Sequence, residues 1–178
     1  ITVDHGMLTI GYSEQLVLPI RLLPARPGRD VTLRGTVEIG VCRDVCIPAS
    51  LNVTAKLPRD ASQRDPRIAA SLANRPYSAS EAGVGRVACR VLPMADGLGL
   101  RAEIDLPRMS GSETAIIEVG NPKVWVAKPK THRSGGRLVA ETSLHHVEGR
   151  SFALDRSRIR LTVLSEGEAV DIQGCPAG

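Results

Sequence analysis

The stretch LRGTVEIGVCRDVCIPASLNVTAKL, residues 33–57, decides how the chain is read. Leu33, Gly35, Val37, Ile39 and Val41 alternate with Arg34, Thr36, Glu38 and Gly40, and further on Leu51, Val53, Ala55 and Leu57 alternate with Asn52, Thr54 and Lys56. An apolar residue at every second position predicts strands with one face on a core and the other in solvent. The same parity puts Cys42 on the outward face of the incoming strand and Cys46 on the outward face of the outgoing one. Three residues separate them, a length suited to a hairpin loop. Residues directly opposed in such a hairpin have Cα atoms ~4.5–5.5 Å apart, inside the ~4.4–6.8 Å window of a disulfide. The pattern therefore predicts two sulfurs leaving one surface of a turn together.

On the amino-terminal side, Leu16, Leu18 and Ile20 alternate with Val17, Pro19 and Arg21 and predict another strand; residues 24–28 (PARPG) are its turn, and Pro58-Arg59-Asp60 is an exit signal. From residue 59 the pattern changes. Asp65-Pro66 is a helix start, with Asp as N-cap and Pro at the first helical position; Ile68 and Leu72 lie one turn apart, and Pro76 stops the segment. From residue 86 apolar alternation returns at Val87, Cys89 and Val91, at Leu98 to Leu106, at Ala115 to Val119, at Val124 to Val126, at Leu138 to Thr142, at Ile159 to Val163, and at Val170 with Ile172. Asp96-Gly97 and Gly135-Gly136 fall where hairpin turns belong. About seven short strands in about 90 residues are the sign of an immunoglobulin-type sandwich. The expected fold class is all-β: two immunoglobulin-like β-sandwich modules, residues 1–58 and 86–178, joined by a short helical linker over 59–85. The first is expected to begin part-way through its fold, because Ile1-Thr2-Val3 reads as the middle of an element.

Composition narrows the function. Of the 178 residues 2% are aromatic, one Trp, one Phe and two Tyr, which leaves few platforms for base stacking and argues against a single-strand nucleic-acid binder. The net charge is +4, but the arginines are dispersed, without the run of five or six that marks a nucleic-acid patch. No stretch approaches the ~20 apolar residues of a membrane-spanning helix. The cysteines, at 42, 46, 89 and 175, lack paired Cys-x-x-Cys zinc spacing, and their even number fits an oxidising compartment.

A bond closing so short a ring removes little entropy from the unfolded chain, so reactivity accounts better for where Cys42 and Cys46 sit. An exposed cross-strand disulfide is open to an incoming thiolate, and the Arg43 guanidinium favours thiolate over thiol. A hairpin clip, two inert thiols and a redox pair all fit the spacing alone. Cys89 shares an inward face with Val87 and Val91 and Cys175 closes the last strand, so the two form either a buried structural bridge across a loop of about 86 residues or two free buried thiols. Trp125 is expected in the core. His5, His132, His145, His146 and the methionines are scattered without the spacing of a metal site.

The run Val41-Cys42-Arg43-Asp44-Val45-Cys46-Ile47-Pro48, preceded by residues 11–20 (GYSEQLVLPI), resembles the amino-terminal periplasmic domain of the thiol:disulfide interchange protein DsbD, and more closely its relative, the suppressor-of-copper-sensitivity protein ScsB. Val124-Trp125-Val126, Leu154-Asp155-Arg156-Ser157 and residues 169–175 (AVDIQGC) are similar to a second module of ScsB-type proteins. The resemblance implies a periplasmic protein-disulfide reductase component, the soluble part of a membrane-anchored protein. Electrons would pass from a membrane reductase, through a thioredoxin-like domain of the same polypeptide, to Cys42 and Cys46 and on to thioredoxin-fold partners. Cys46 would attack and Cys42 resolve, with Arg43 and Asp44 tuning thiolate formation and no cofactor required. Two departures stand out: the DsbD domain spaces its cysteines more widely, and it shields them with an aromatic cap loop where this chain has Asp4-His5-Gly6 and no Phe. The competing expectations are a non-catalytic immunoglobulin-like scaffold with structural disulfides, and copper(I) held by the reduced pair.

Overall fold

Two-residue alternation becomes a ladder in the first half of the chain. The structure, a computed structural model, describes residues 2–4, 7–12, 14–43 and 45–178, with the backbone course alone for 2–4 and 7–9. The chain divides into two compact units, residues 1–74 and 75–178, so α1 below belongs to the first. In the first unit β1 (Thr2–Asp4) pairs with β2 (Met7–Thr9), and the long β3 (Val31–Cys42) pairs antiparallel with β4 (Cys46–Leu57). The base of this hairpin is closed by the Asp30 carboxylate, which accepts from the Arg59 amide at 3.0 Å. α1 (Pro66–Ala73) begins as read from the sequence: Asp65 accepts from the Arg67 amide at 2.8 Å, and Pro66 sits where a missing N–H costs nothing.

Two expectations for this unit are corrected. Residues 16–20 form no strand. Pro19 has no amide to donate to a ladder, and the Val17 carbonyl is taken by the Ser71 hydroxyl of α1 at 2.7 Å. The apolar face of β3 and β4 does not sit on a core either. Every buried apolar residue of the described chain lies between Cys89 and Cys175, and Val37, Val41, Ile47 and Leu51 are all exposed.

The second unit is the sandwich. Its strands are β5 (Tyr77–Ser78), β6 (Val87–Met94), β7 (Gly97–Ile104), β8 (Thr114–Glu118), β9 (Val124–Val126), β10 (Lys130–Ser134), β11 (Arg137–His146), β12 (Arg160–Ser165) and β13 (Glu168–Gln173), with a 3-10 turn at Arg156–Arg158. One sheet runs β10-β11-β7-β6 with β9 also on β11, and the other runs β5-β13-β12-β8. Leu100, Ala102, Ile104, Leu138 and Leu144 of the first sheet and Ile117, Leu161, Val163, Val170 and Ile172 of the second form one aliphatic core. Each large side chain buried there contributes about 1.5–3 kcal/mol. Asp96-Gly97 makes the β6–β7 turn, where a Cβ on Gly97 would stand 2.1 Å from the Leu144 carbonyl oxygen, so only glycine lets the turn close on β11.

Trp125 is corrected as well: it is 59% exposed. Val124 and Val126 take the inward positions of the three-residue β9, so parity sends Trp125 to the outer face, where its ring lies 6.0 Å from that of His145.

β10 was not foreseen because its inward side chains are polar. The Thr131 hydroxyl accepts from the Ala115 amide at 3.0 Å. Arg133 donates through Nε to Glu113 at 2.7 Å and through its terminal nitrogens to the Leu106 and Pro107 carbonyls. The Glu113 side chain is only 9% exposed, and the guanidinium beside it holds its carboxyl below the usual range. Removing one member of such a pair strands the other, so Arg133→Met lowers the unfolding free energy in urea by about 3 kcal/mol. A depressed folded-state pKa stabilises above the ~4.3 of an unfolded glutamate and loses that contribution as pH falls through the lower folded value. Acid unfolding of wild type followed against Glu113→Gln is therefore expected to show the shallower pH slope in the variant; equal slopes would remove Glu113 from the account.

Candidate functional site

Site geometry begins with the register of the hairpin. Val31 opposes Leu57, and the ladder continues in step to Val41 opposite Ile47 and Cys42 opposite Cys46. Odd-numbered residues meet odd-numbered ones throughout, so each face of the ribbon has a single character. The even face carries Thr32 with Lys56, Arg34 with Thr54, Thr36 with Asn52 and Glu38 with Ser50, and the Thr36 hydroxyl donates to the Asn52 side-chain oxygen at 3.0 Å. The two cysteines end this polar face.

Their sulfurs are bonded, and their Cα atoms lie 4.0 Å apart. The connecting loop is tied by the Arg43 amide, which donates to the Val45 carbonyl at 3.2 Å. Both cysteines are exposed, and so are Arg43 and Val45. Asp44, the second residue expected to tune the pair, lies outside the described residues, as does His5. The row beneath the bond is Gly40 opposite Pro48, and a Cβ on Gly40 would meet no atom within 4 Å. Neither residue has a side chain long enough to overhang the sulfurs. A thiolate must approach a disulfide sulfur along the line of the bond it breaks, and among the described residues the neighbouring rung of this face, Gly40 with Pro48, offers no long side chain to cover it.

Cys89 and Cys175 are bonded in the opposite kind of surroundings. Cys89 lies in β6 of one sheet and Cys175 just after β13 of the other, each 1% exposed. The Cys89 amide donates to the Pro176 carbonyl at 2.7 Å, its carbonyl accepts from the Arg156 guanidinium at 2.8 Å, and the Cys175 amide donates to the Arg156 carbonyl at 2.9 Å. In the chain-entropy model this bridge of separation 86 is worth about 4–5 kcal/mol and the hairpin bridge of separation 4 about 2 kcal/mol. The buried bond is thus a staple between the two sheets, and the exposed one is a weak staple.

His145 and His146 are occupied separately. The His145 ring contacts the Asp96 carbonyl at 2.9 Å and the Ser143 hydroxyl at 3.0 Å, and His146 Nδ1 accepts from the Glu148 amide at 3.1 Å. Among the described residues no three His, Cys, Asp or Glu side chains converge as metal ligands, and no helix is long and apolar enough to cross a membrane. Sequence reasoning passed over the Arg133–Glu113 pair. Its signal was an arginine at an inward position of a polar five-residue strand.

No family model matches the chain, and no curated protein matches its sequence. Among solved structures it is similar to the N-terminal periplasmic domain of ScsB from Proteus mirabilis, with a TM-score of 0.57 and 12% identity over 83% of this chain. The chain spans 58% of the length of that solved domain. At this identity the likeness is one of fold, and the fold it shares is that of the N-terminal periplasmic domain of ScsB.

Proposed function

We propose that the chain is a periplasmic thiol-disulfide exchange module whose working centre is Cys42 and Cys46. One observation carries the reading: of the two disulfides, one is sealed between sheets and the other ends a ribbon with both of its cysteines exposed. A bond that adds little stability and is exposed is suited to turnover. The fold shared with a periplasmic ScsB domain agrees with that placement.

In the proposed cycle the reduced Cys46 thiolate attacks a partner disulfide, forming a bond from Cys46 to one partner sulfur and expelling the other as thiolate. The Cys42 thiolate then attacks Cys46 Sγ, closing the Cys42–Cys46 bond and releasing the partner as a dithiol. Two electrons pass to the partner, and its two thiolates take up protons from solvent. A reducing dithiol, assigned here to a thioredoxin-like domain of the same membrane-anchored polypeptide, resets the pair by the reverse exchange. Thioredoxin-fold proteins are the proposed substrates. Arg43 and Asp44 would set the thiolate fraction through their charges.

Three measurements test the reading. Under limiting dithiothreitol, alkylation followed by mass spectrometry is expected to label Cys42 and Cys46 at least about tenfold faster than Cys89 and Cys175, in keeping with attack limited by access. Redox titration of the hairpin pair is expected to give a potential of about −120 to −270 mV, whereas a value below about −300 mV marks a structural clip and ends the proposal. With a thioredoxin-fold partner present, Cys42→Ala should accumulate a mixed disulfide through Cys46 and Cys46→Ala should not; the reverse pattern would exchange the two roles.

A further inference from the structure

We infer that Ser143 and His145 form a nucleophile–base pair on the outer face of the second unit, and that Ser143 takes the acyl group from activated esters of small apolar acids. Both belong to β11, two residues apart and so on one face of the sheet. His145 Nδ1 lies 2.9 Å from the Asp96 carbonyl oxygen, and Nε2 lies 3.0 Å from Ser143 Oγ. A carbonyl only accepts, so the ring hydrogen is on Nδ1 and the lone pair is on Nε2, into which the Ser143 hydroxyl donates. This is the arrangement in which an imidazole serves a hydroxyl as general base, with a main-chain carbonyl orienting the ring where other sites use a carboxylate. The missing Cβ of Gly97, which would stand 3.3 Å from Nδ1, leaves the imidazole its place beside the β6–β7 turn.

The ground around the hydroxyl is open and apolar. Ser143 stands opposite Gly99 of β7, and Gly99 opposite Leu92 of β6, so the strand next to Ser143 raises no side chain. A Cβ on Gly99 would first meet Met94 Sδ at 3.4 Å and Leu92 Cβ at 3.7 Å. Leu92 and Met94 bound this floor on one side, and Trp125, opposite His145, bounds it on the other; all three are more than half exposed. These walls are uncharged, which suits a small aliphatic or aromatic acyl group. β7 and β11 are paired along both edges, so their amides are committed to the ladder rather than to an oxyanion. That restricts the acyl donors to esters whose leaving group departs readily, such as aryl esters.

In the reaction Ser143 Oγ attacks the ester carbonyl carbon as its proton passes to Nε2. The bond from that carbon to the leaving oxygen breaks, and the departing alcohol takes the proton from Nε2, leaving Ser143 acylated. Water, giving a proton to Nε2, attacks the same carbon, and Ser143 Oγ leaves with that proton as the free acid is released.

The inference concerns the second unit and is independent of the redox reading; with both disulfides formed, no thiol competes for the acyl group. p-Nitrophenyl acetate incubated with the oxidised full chain is expected to leave an acetyl group on Ser143, located by peptide mass spectrometry, and to do so at least about 100-fold more slowly in His145→Gln, within the usual worth of a general base. A fluorophosphonate is expected to label Ser143 in the native chain and not in the chain unfolded in urea. Ser143→Ala, which leaves the contact of His145 with Asp96 in place, is expected to keep the fold and lose the burst of p-nitrophenol. Should His145→Gln fail to fold, that burst and the comparison of native with unfolded chain decide the matter. Acetyl groups on lysines alone, equal labelling of native and unfolded chain, an undiminished burst in Ser143→Ala, or a folded His145→Gln acetylated at the wild-type rate would each overturn the inference.

Discussion

The in-step pairing of β3 with β4 is the constraint from which the chemistry of this chain follows. With odd residues opposite odd and even opposite even, Cys42 meets Cys46 at the last rung, and every valine, leucine, isoleucine and alanine of the two strands goes to the other side. A slip of one residue would send the cysteines and the valines to each other's faces at once. Register here is set by twelve-residue strands and a three-residue loop, and the disulfide locks what the ladder has already aligned.

The two disulfides show how little of their behaviour belongs to the bond itself. Cys89 and Cys175 join the two sheets of an aliphatic core, with backbone amides and the Arg156 guanidinium saturating the peptide groups around them. Reducing that bond requires water and a thiolate to enter the centre of the sandwich. Cys42 and Cys46 have Gly40 and Pro48 for neighbours on their own face, and both are exposed. Burial is what separates the two links, one sealed and the other exposed.

Much of this was legible in the sequence, and the parts that were not have physical reasons. Strand parity placed both hairpin sulfurs on one face, and Asp65-Pro66 marked the helix start, because local pattern and capping chemistry act over a few residues. What covers an apolar face is a tertiary matter, so alternation in β3 and β4 was read as a buried side where the structure has an exposed one. β10 was hidden because Thr131 and Arg133 face inward through hydrogen bonds, leaving no hydrophobic period to detect. The expectation of Trp125 in the core fails because the parity of Val124 and Val126, both inward, points it outward.

Trp125 is also the only tryptophan of the chain, and it stands on the outer surface of the second unit beside His145. Intrinsic fluorescence excited at the indole therefore originates in the sandwich. The first unit holds no tryptophan, so it is followed through far-ultraviolet dichroism, to which both units contribute.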